Sequence, residues 1–315
     1  MNRCDRWIFL LLLTWPLLAG AQSPPPPAQR AVLVTGASTG IGRKVTERLA
    51  ADGYFVFAGA RKPEDLKALG ALKNVQAVRL DVTKQDDINA VADLIGKSGR
   101  GLYGLVNNAG IGTVGTVADM KPEEFDLLMA VNLYGPYRMT RAVEPLIIAA
   151  KGRVVNIGSI SGIGFSSNLM AYSMSKHALE AFSDSLVLQL KDSGATAAIV
   201  EPGNYNSNIA RNAIQRLGPD AKVLHDPGYH LTADRSQYKE PDEVADAVEK
   251  ALFEPTPKRR YLVTPNQDEA EWAVSSLIGQ LVQLNEGQPY TYSRDQLVKM
   301  LDEALAHARP GTSQP

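Results

Sequence analysis

The sequence predicts an α/β fold, a doubly wound parallel sheet of about seven strands with a helical appendage at its C-terminal end. Short apolar, β-branched runs alternate with helix-patterned segments from Arg30 onward. The runs are nearly continuous in apolar residues, as strands buried on both faces are. A glycine-rich stretch, TGASTGIG at residues 35–42, falls at the first strand-to-helix junction, where sheets of this kind hold dinucleotides.

Each element follows in order. AVLVT from Ala31 opens the sheet, and a helix follows in which Ile41, Val45 and Leu49 recur on one face. YFVFAGA from Tyr54, VQAVRL from Val75, GLVNN from Gly104, GRVVNIG from Gly152 and TAAIVEPG from Thr196 read as further strands, and RRYLV around Tyr261 as the last. Pro63, Pro122 and Pro241 each stand where a first helical turn accepts a residue without an N–H. Leu179, Phe182, Leu186 and Leu190 mark the buried stripe of a long helix. Beyond Val263 the alternation stops. DEAEWAVSSLIGQLVQL and SRDQLVKMLDEALAHA are both helical in pattern, the second opened by a Ser293-x-x-Gln296 capping box. Residues 264–315 are therefore expected to extend the domain of residues 31–263, and the terminal RPGTSQP to be disordered.

Composition narrows the function. The 315 residues are 44% hydrophobic and 21% charged, with a net charge of −1, ordinary for a globular enzyme-sized chain and no argument for a nucleic-acid partner. The lone cysteine, Cys4, allows neither a disulfide framework nor a thiolate metal site, and His225 and His230 lack the spacing of a metal pair, so no metal is expected. Arg3 and Arg6 precede an apolar stretch from Trp7 to Leu18 and a small-residue end, Ala19-Gly20-Ala21. This reads as a signal peptide over residues 1–21, cleaved after Ala21, with an uncleaved membrane anchor through residues 7–21 as the alternative. Residues 22–30 form a proline-rich spacer. The charge bias across the leader favours an exported domain.

The chemistry-bearing residues cluster in five places. Gly36, Gly40 and Gly42 would let the backbone, with Ser38, Thr39 and Ile41, approach a pyrophosphate at a helix N-terminus; taken alone they are also compatible with a simple turn. Tyr172 and Lys176 stand four apart on one helix face. Ser159 lies just past a strand, at the carboxyl edge, and NNAG (107–110) and VNLYG with Asn132 complete the set. In this order and spacing the chain resembles the short-chain dehydrogenase/reductase family, over roughly Ala31 to Val263, with its Rossmann-type fold.

That resemblance implies hydride transfer between a nicotinamide and a carbinol carbon. Such a transfer leaves a proton to move at oxygen, which a phenol with its pKa lowered by a neighbouring ammonium can handle. Tyr172 is the expected acid/base, Ser159 the hydrogen-bond donor to the substrate oxygen, Lys176 the ribose contact, and Asn132 the anchor of a water relay to Lys176. The acid that selects NAD at the end of the second strand is replaced by Ala60, and Arg61 follows with Lys62 beside it, which suits the 2′-phosphate of NADP(H). The resemblance further assigns Asp81 and Val82 to the adenine, Asn108, Ala109 and Gly110 to the cofactor wall, Pro202 and Gly203 to the nicotinamide loop, and Ser207 to a position usually held by threonine.

Substrate signals are weaker. Residues 204–239, with Tyr205, Tyr229 and Tyr238, correspond to the family's mobile lid, and FAGARK, EPGNYNSNI, RRYLVTP and the tail are similar to the hydroxysteroid and retinol dehydrogenase branch, implying a hydrophobic alcohol or ketone. One rival is a 3-oxoacyl-thioester reductase, for which Arg211 and Arg216 are the available docking charges; the other is a nucleotide-binding scaffold without turnover. The resemblance also implies a homodimer through residues 123–148 and the Tyr172–Leu190 helix.

Overall fold

The structure, a computed structural model, describes residues 30–218 and 233–307. The leader, the spacer up to Gln29, His225, Tyr229, His230 and the terminal RPGTSQP lie outside the described residues.

All seven expected strands are present: β1 (Ala31–Val34), β2 (Phe55–Ala60), β3 (Val75–Arg79), β4 (Gly104–Asn107), β5 (Arg153–Ile157), β6 (Thr196–Pro202) and β7 (Arg260–Val263). They pair in parallel in the order β3-β2-β1-β4-β5-β6-β7. The chain reverses its direction of winding between β1 and β4, and a crevice opens there at the carboxyl ends of the strands. The helices that wind the sheet are α1 (Gly40–Ala51), α2 (Pro63–Gly70), α3 (Gln85–Lys97), α4 (Pro122–Met129), α5 (Gly135–Ala149), α6 (Met170–Leu190), α7 (Ile209–Leu217) and α8 (Asp242–Phe253), followed by α9 (Gln267–Asn285) and α10 (Arg294–His307).

Because side chains alternate along a strand, each central strand feeds two cores. Val32 and Val34 of β1 pack with Val45 and Leu49 of α1 and Val244, Val248 and Leu252 of α8 on one face. Ala31 and Leu33 pack with Ile88 of α3, Met139 and Val143 of α5 and Leu186 of α6 on the other. The continuous apolar character expected of every strand fails at β3, where Gln76 and Arg79 are exposed, because β3 is an edge strand. Pro241 sits one residue earlier than expected, at the N-cap of α8, where its fixed φ and missing N–H are equally harmless.

The tail leans on the domain along one side. Ala273 is the buried residue of α9, and Gln280 Nε2 donates to the Ile163 carbonyl at 3.1 Å. The capping box of α10 is reciprocal: Ser293 N donates to Gln296 Oε1 at 2.8 Å, and Gln296 N to Ser293 Oγ at 3.3 Å. Among the described residues no helix is long and apolar enough to cross a membrane.

Candidate active site

A cavity of about 640 Å³ opens over the carboxyl ends of β1, β4, β5 and β6. Its floor at one end is the loop after β1. Gly36 (φ +65°) and Gly40 (φ +56°) adopt left-handed conformations, and a Cβ at Gly36 would lie 2.8 Å from the Ala109 Cα. Gly42 has a different job. It faces away from the cavity, and a Cβ there would collide with the Gly36 carbonyl and the Asn108 amide, so it brings α1 down onto the loop. Thr35 Oγ1 accepts from the backbone N–H groups of Asn108 (3.0 Å) and Ala109 (2.9 Å), and Asn108 Nδ2 donates back to the Thr35 and Gly36 carbonyls. These bonds lock the β1 and β4 loops into one wall.

The first turn of α1 opens into the cavity through Ser38, Thr39, Gly40 and Ile41, and its N-cap, Thr39, gives no side-chain hydrogen bond to the helix amides. An uncapped helix N-terminus behind a glycine cradle fits a pyrophosphate. The residues present therefore fit a dinucleotide. Arg61, Val82, Ala109, Gly110, Pro202, Gly203 and Ser207 line the same cavity. Asp81 does not. Its carboxylate is bonded by the Thr83 N–H (2.9 Å) and hydroxyl (2.7 Å) and sits 4.0 Å from Arg61 Nη1. Burial alone would raise the Asp81 carboxyl, but the Thr83 bonds and the Arg61 charge outweigh it and hold the pKa below its ordinary value.

The other end of the cavity holds Ser159, Tyr172 and Lys176. Ser159 stands two residues past the end of β5 as the N-cap of a short 3₁₀ turn, its Oγ accepting from Ser161 N at 3.1 Å. Tyr172 and Lys176 occupy successive turns at the start of α6, the expected shared face. Lys176 is 6% exposed, donates to the Ile157 carbonyl at 2.8 Å and lies 5.7 Å from the centre of the Tyr172 ring. Burial pushes the Lys176 ammonium down to about 8, against the pull of Glu180. Tyr172 departs from the expectation. Burial raises its phenol above the usual value, and the groups that pull it down are Ser159, by hydrogen bonding, and the charge of Arg235, not Lys176. The Lys176 ammonium points to a backbone carbonyl, and the buried setting penalises a phenolate more than the neighbours favour it.

Asn132 is buried in a π-helical turn, Ala130–Tyr134, and lies off the cavity. Its Oδ1 accepts from Ile111 N (2.9 Å), and its Nδ2 donates to the Ile111 carbonyl (2.9 Å) and Ser175 Oγ (3.2 Å). The side chain thus fixes the loop after β4 against α6. Asn107 of the NNAG run is equally structural, with Nδ2 donating to Asn156 Oδ1 at 2.9 Å and Thr140 Oγ1 at 3.1 Å.

Several lining residues escaped the sequence reading. Trp272 and Glu269 come from α9, an element read only as an appendage; Glu269 Oε2 accepts from Asn204 N at 2.7 Å and so braces the loop after β6. A signal existed, since Asn266-x-x-Glu269 is itself a capping pair, with Glu269 N donating to Asn266 Oδ1 at 3.0 Å. Arg235 had no signal beyond its place in the expected lid. Arg216 is not a free docking charge: its guanidinium pairs with Glu124 at 2.7 Å and donates to the Gly112 carbonyl.

A dinucleotide cradle and a Ser-Tyr-Lys wall in one crevice of a doubly wound sheet define a nicotinamide-dependent oxidoreductase. The chain belongs to the short-chain dehydrogenase family, whose sequence pattern matches residues 30–217. It is 31% identical over 251 residues to the uncharacterized oxidoreductase YbbO of Escherichia coli K12, spanning 79% of this chain and 89% of that protein. It is 38% identical to the mitochondrial D-beta-hydroxybutyrate dehydrogenase of Bos taurus (59% of this chain, 57% of that one) and 37% identical to retinol dehydrogenase 5 of Mus musculus (64% and 66%). The retinol dehydrogenase among these relatives agrees with the branch that the sequence resembles. Among solved structures, a metagenomic short-chain oxidoreductase in complex with NADP is 29% identical with a TM-score of 0.60, covering 76% of this chain and 98% of that one. One from Burkholderia phymatum in complex with NAD, 21% identical with a TM-score of 0.70 (84% and 98%), shares the fold.

Proposed function

We propose that the protein is an NADP(H)-dependent oxidoreductase that moves a hydride between the nicotinamide and a hydrophobic alcohol or ketone. The observation that carries this reading is the convergence of Ser159, Tyr172 and Lys176 on one wall of the cavity that the glycine loop and Arg61 line further along. The nicotinamide, when bound, supplies or accepts the hydride. The chain supplies the rest. Tyr172 gives a proton to the ketone oxygen or takes one from the alcohol, and Ser159 holds that oxygen in place. Lys176, pushed down to about 8, can itself exchange a proton near neutrality and so refill Tyr172. Because the Asn132 amide is spent on Ile111 and Ser175, a water relay to Lys176 would hang on the main-chain carbonyl of that turn.

Arg61 supports NADP(H), since it follows Ala60 where an acid would otherwise take the ribose hydroxyls. Val114, Ile160, Leu169, Ile209 and Trp272 line the cavity, which supports an apolar substrate body. The thioester-reductase reading loses one of its two docking charges to Glu124. Mixing the protein with NADPH and a panel of aromatic and alicyclic ketones tests the proposal. Consumption of NADPH with at least one ketone is expected; consumption with none, despite bound NADPH, would favour the scaffold reading.

A further inference from the structure

Three cationic side chains line the cavity among the described residues: Arg61, Lys176 and Arg235. Arg61 serves the cofactor end, and Lys176 donates to Ile157. Arg235 stands apart. No carboxylate among the described residues forms an ion pair with it, although Asp268 and Glu269 line the same cavity and Glu269 is committed to Asn204. Its guanidinium lies 5.0 Å from the centre of the Tyr238 ring, which orients the plane without neutralising the charge. Its Nε is buried and has no hydrogen-bond partner. A buried N–H left unmade is costly, and a guanidinium beside apolar walls more so, unless a ligand completes it. Arg235 lines the same cavity as Ser159 and Tyr172, and its charge favours the ionised form of the Tyr172 phenol.

We infer that Arg235 binds an anionic group of the substrate, a carboxylate or similar oxyanion carried some distance from the carbon that exchanges hydride. The guanidinium fork suits two oxygens in a plane. Resting on the proposed hydride transfer, this makes the substrate a hydroxy or oxo acid with an apolar body, not a neutral alcohol. The other source of such oxyanion chemistry is the cofactor's own phosphates, and the test separates the two.

The probes are 4-acetylbenzoate and its methyl ester, titrated by calorimetry into the full-length protein saturated with NADP⁺, a pairing in which a ketone binds but cannot react. The wild type is expected to bind the acid about tenfold or more tighter than the ester, as a charge-assisted contact gives. Arg235→Met should erase that preference while leaving ester affinity and NADPH affinity unchanged, and Arg235→Lys should restore part of it. Equal binding of acid and ester by the wild type, or an acid preference that survives in Arg235→Met, would overturn the inference. So would a tenfold loss of NADPH affinity in Arg235→Met, which would assign the arginine to the cofactor. If the acid binds through Arg235 but NADPH reduces neither it nor any ketone of the panel, the Arg235 site stands and the hydride-transfer reading falls.

Discussion

Arg61 shows how one side chain can choose a cofactor. Its side chain is 65% exposed and only loosely paired with Asp81, so little holds the guanidinium back from a 2′-phosphate. Arg61→Ala should weaken NADPH binding by about 1.5–3 kcal/mol, the value of a hydrogen bond to a charged group, and leave NADH nearly unaffected. Fluorescence titration with both cofactors checks this, and equal losses would remove Arg61 from the phosphate site. Residue roles were the most legible part of the sequence where geometry is local: Tyr172 and Lys176 share a face because they are one turn apart. They were least legible where burial decides. Nothing in the string YSMSK says that Lys176 turns to the Ile157 carbonyl, or that desolvation outweighs charge at Tyr172.

At the scale of elements, α6, β6 and β7 are tied together by a cluster directly behind the Ser159 loop. Glu180 of α6 lies against Gly158 and Gly162, where a Cβ would stand 3.2 and 3.1 Å from its Oε1. Glu201 of β6 is 2% exposed, and Arg260 of β7 reaches Glu180 at 3.3 Å, Asp184 at 2.7 Å and Glu201 at 3.6 Å. Burial first, then the neighbouring Glu201, pushes Glu180 up from 4.5 to about 8. A carboxyl whose folded pKa is raised contributes stability that is full below its unfolded pKa and lost as pH rises through the folded one. Melting temperature should therefore fall as pH rises from about 4.5 to 8, and Glu180→Gln, which mimics the protonated form, should flatten that slope. Parallel slopes for variant and wild type would show that Glu180 titrates normally. The strands and helices themselves were readable because periodicity and proline position act within a few residues. This cluster was not, because its members are brought together by sheet order, as was the approach of Trp272 on α9 to Gly164.

For the molecule as a whole, Leu127 of α4, Tyr134 of the π-helical turn, Tyr137 of α5 and Met174 and Leu188 of α6 are exposed. Exposed apolar side chains on these segments support the homodimer proposed from the sequence. Light scattering at micromolar concentration should give twice the chain mass, and a monomer would refute it. The leader keeps its sequence reading as a proposal, a signal peptide cleaved after Ala21, which sequencing the mature N-terminus would test. Everything rests, finally, on one phenol. Tyr172→Phe removes the ionisable oxygen and keeps the ring, so NADPH should bind near its original affinity while turnover falls by about 10²–10⁴-fold, the usual loss with a general acid or base. Measured together on a ketone that the wild type reduces, intact binding with collapsed turnover is the result predicted; near-normal turnover would make Tyr172 structural and contradict the mechanism.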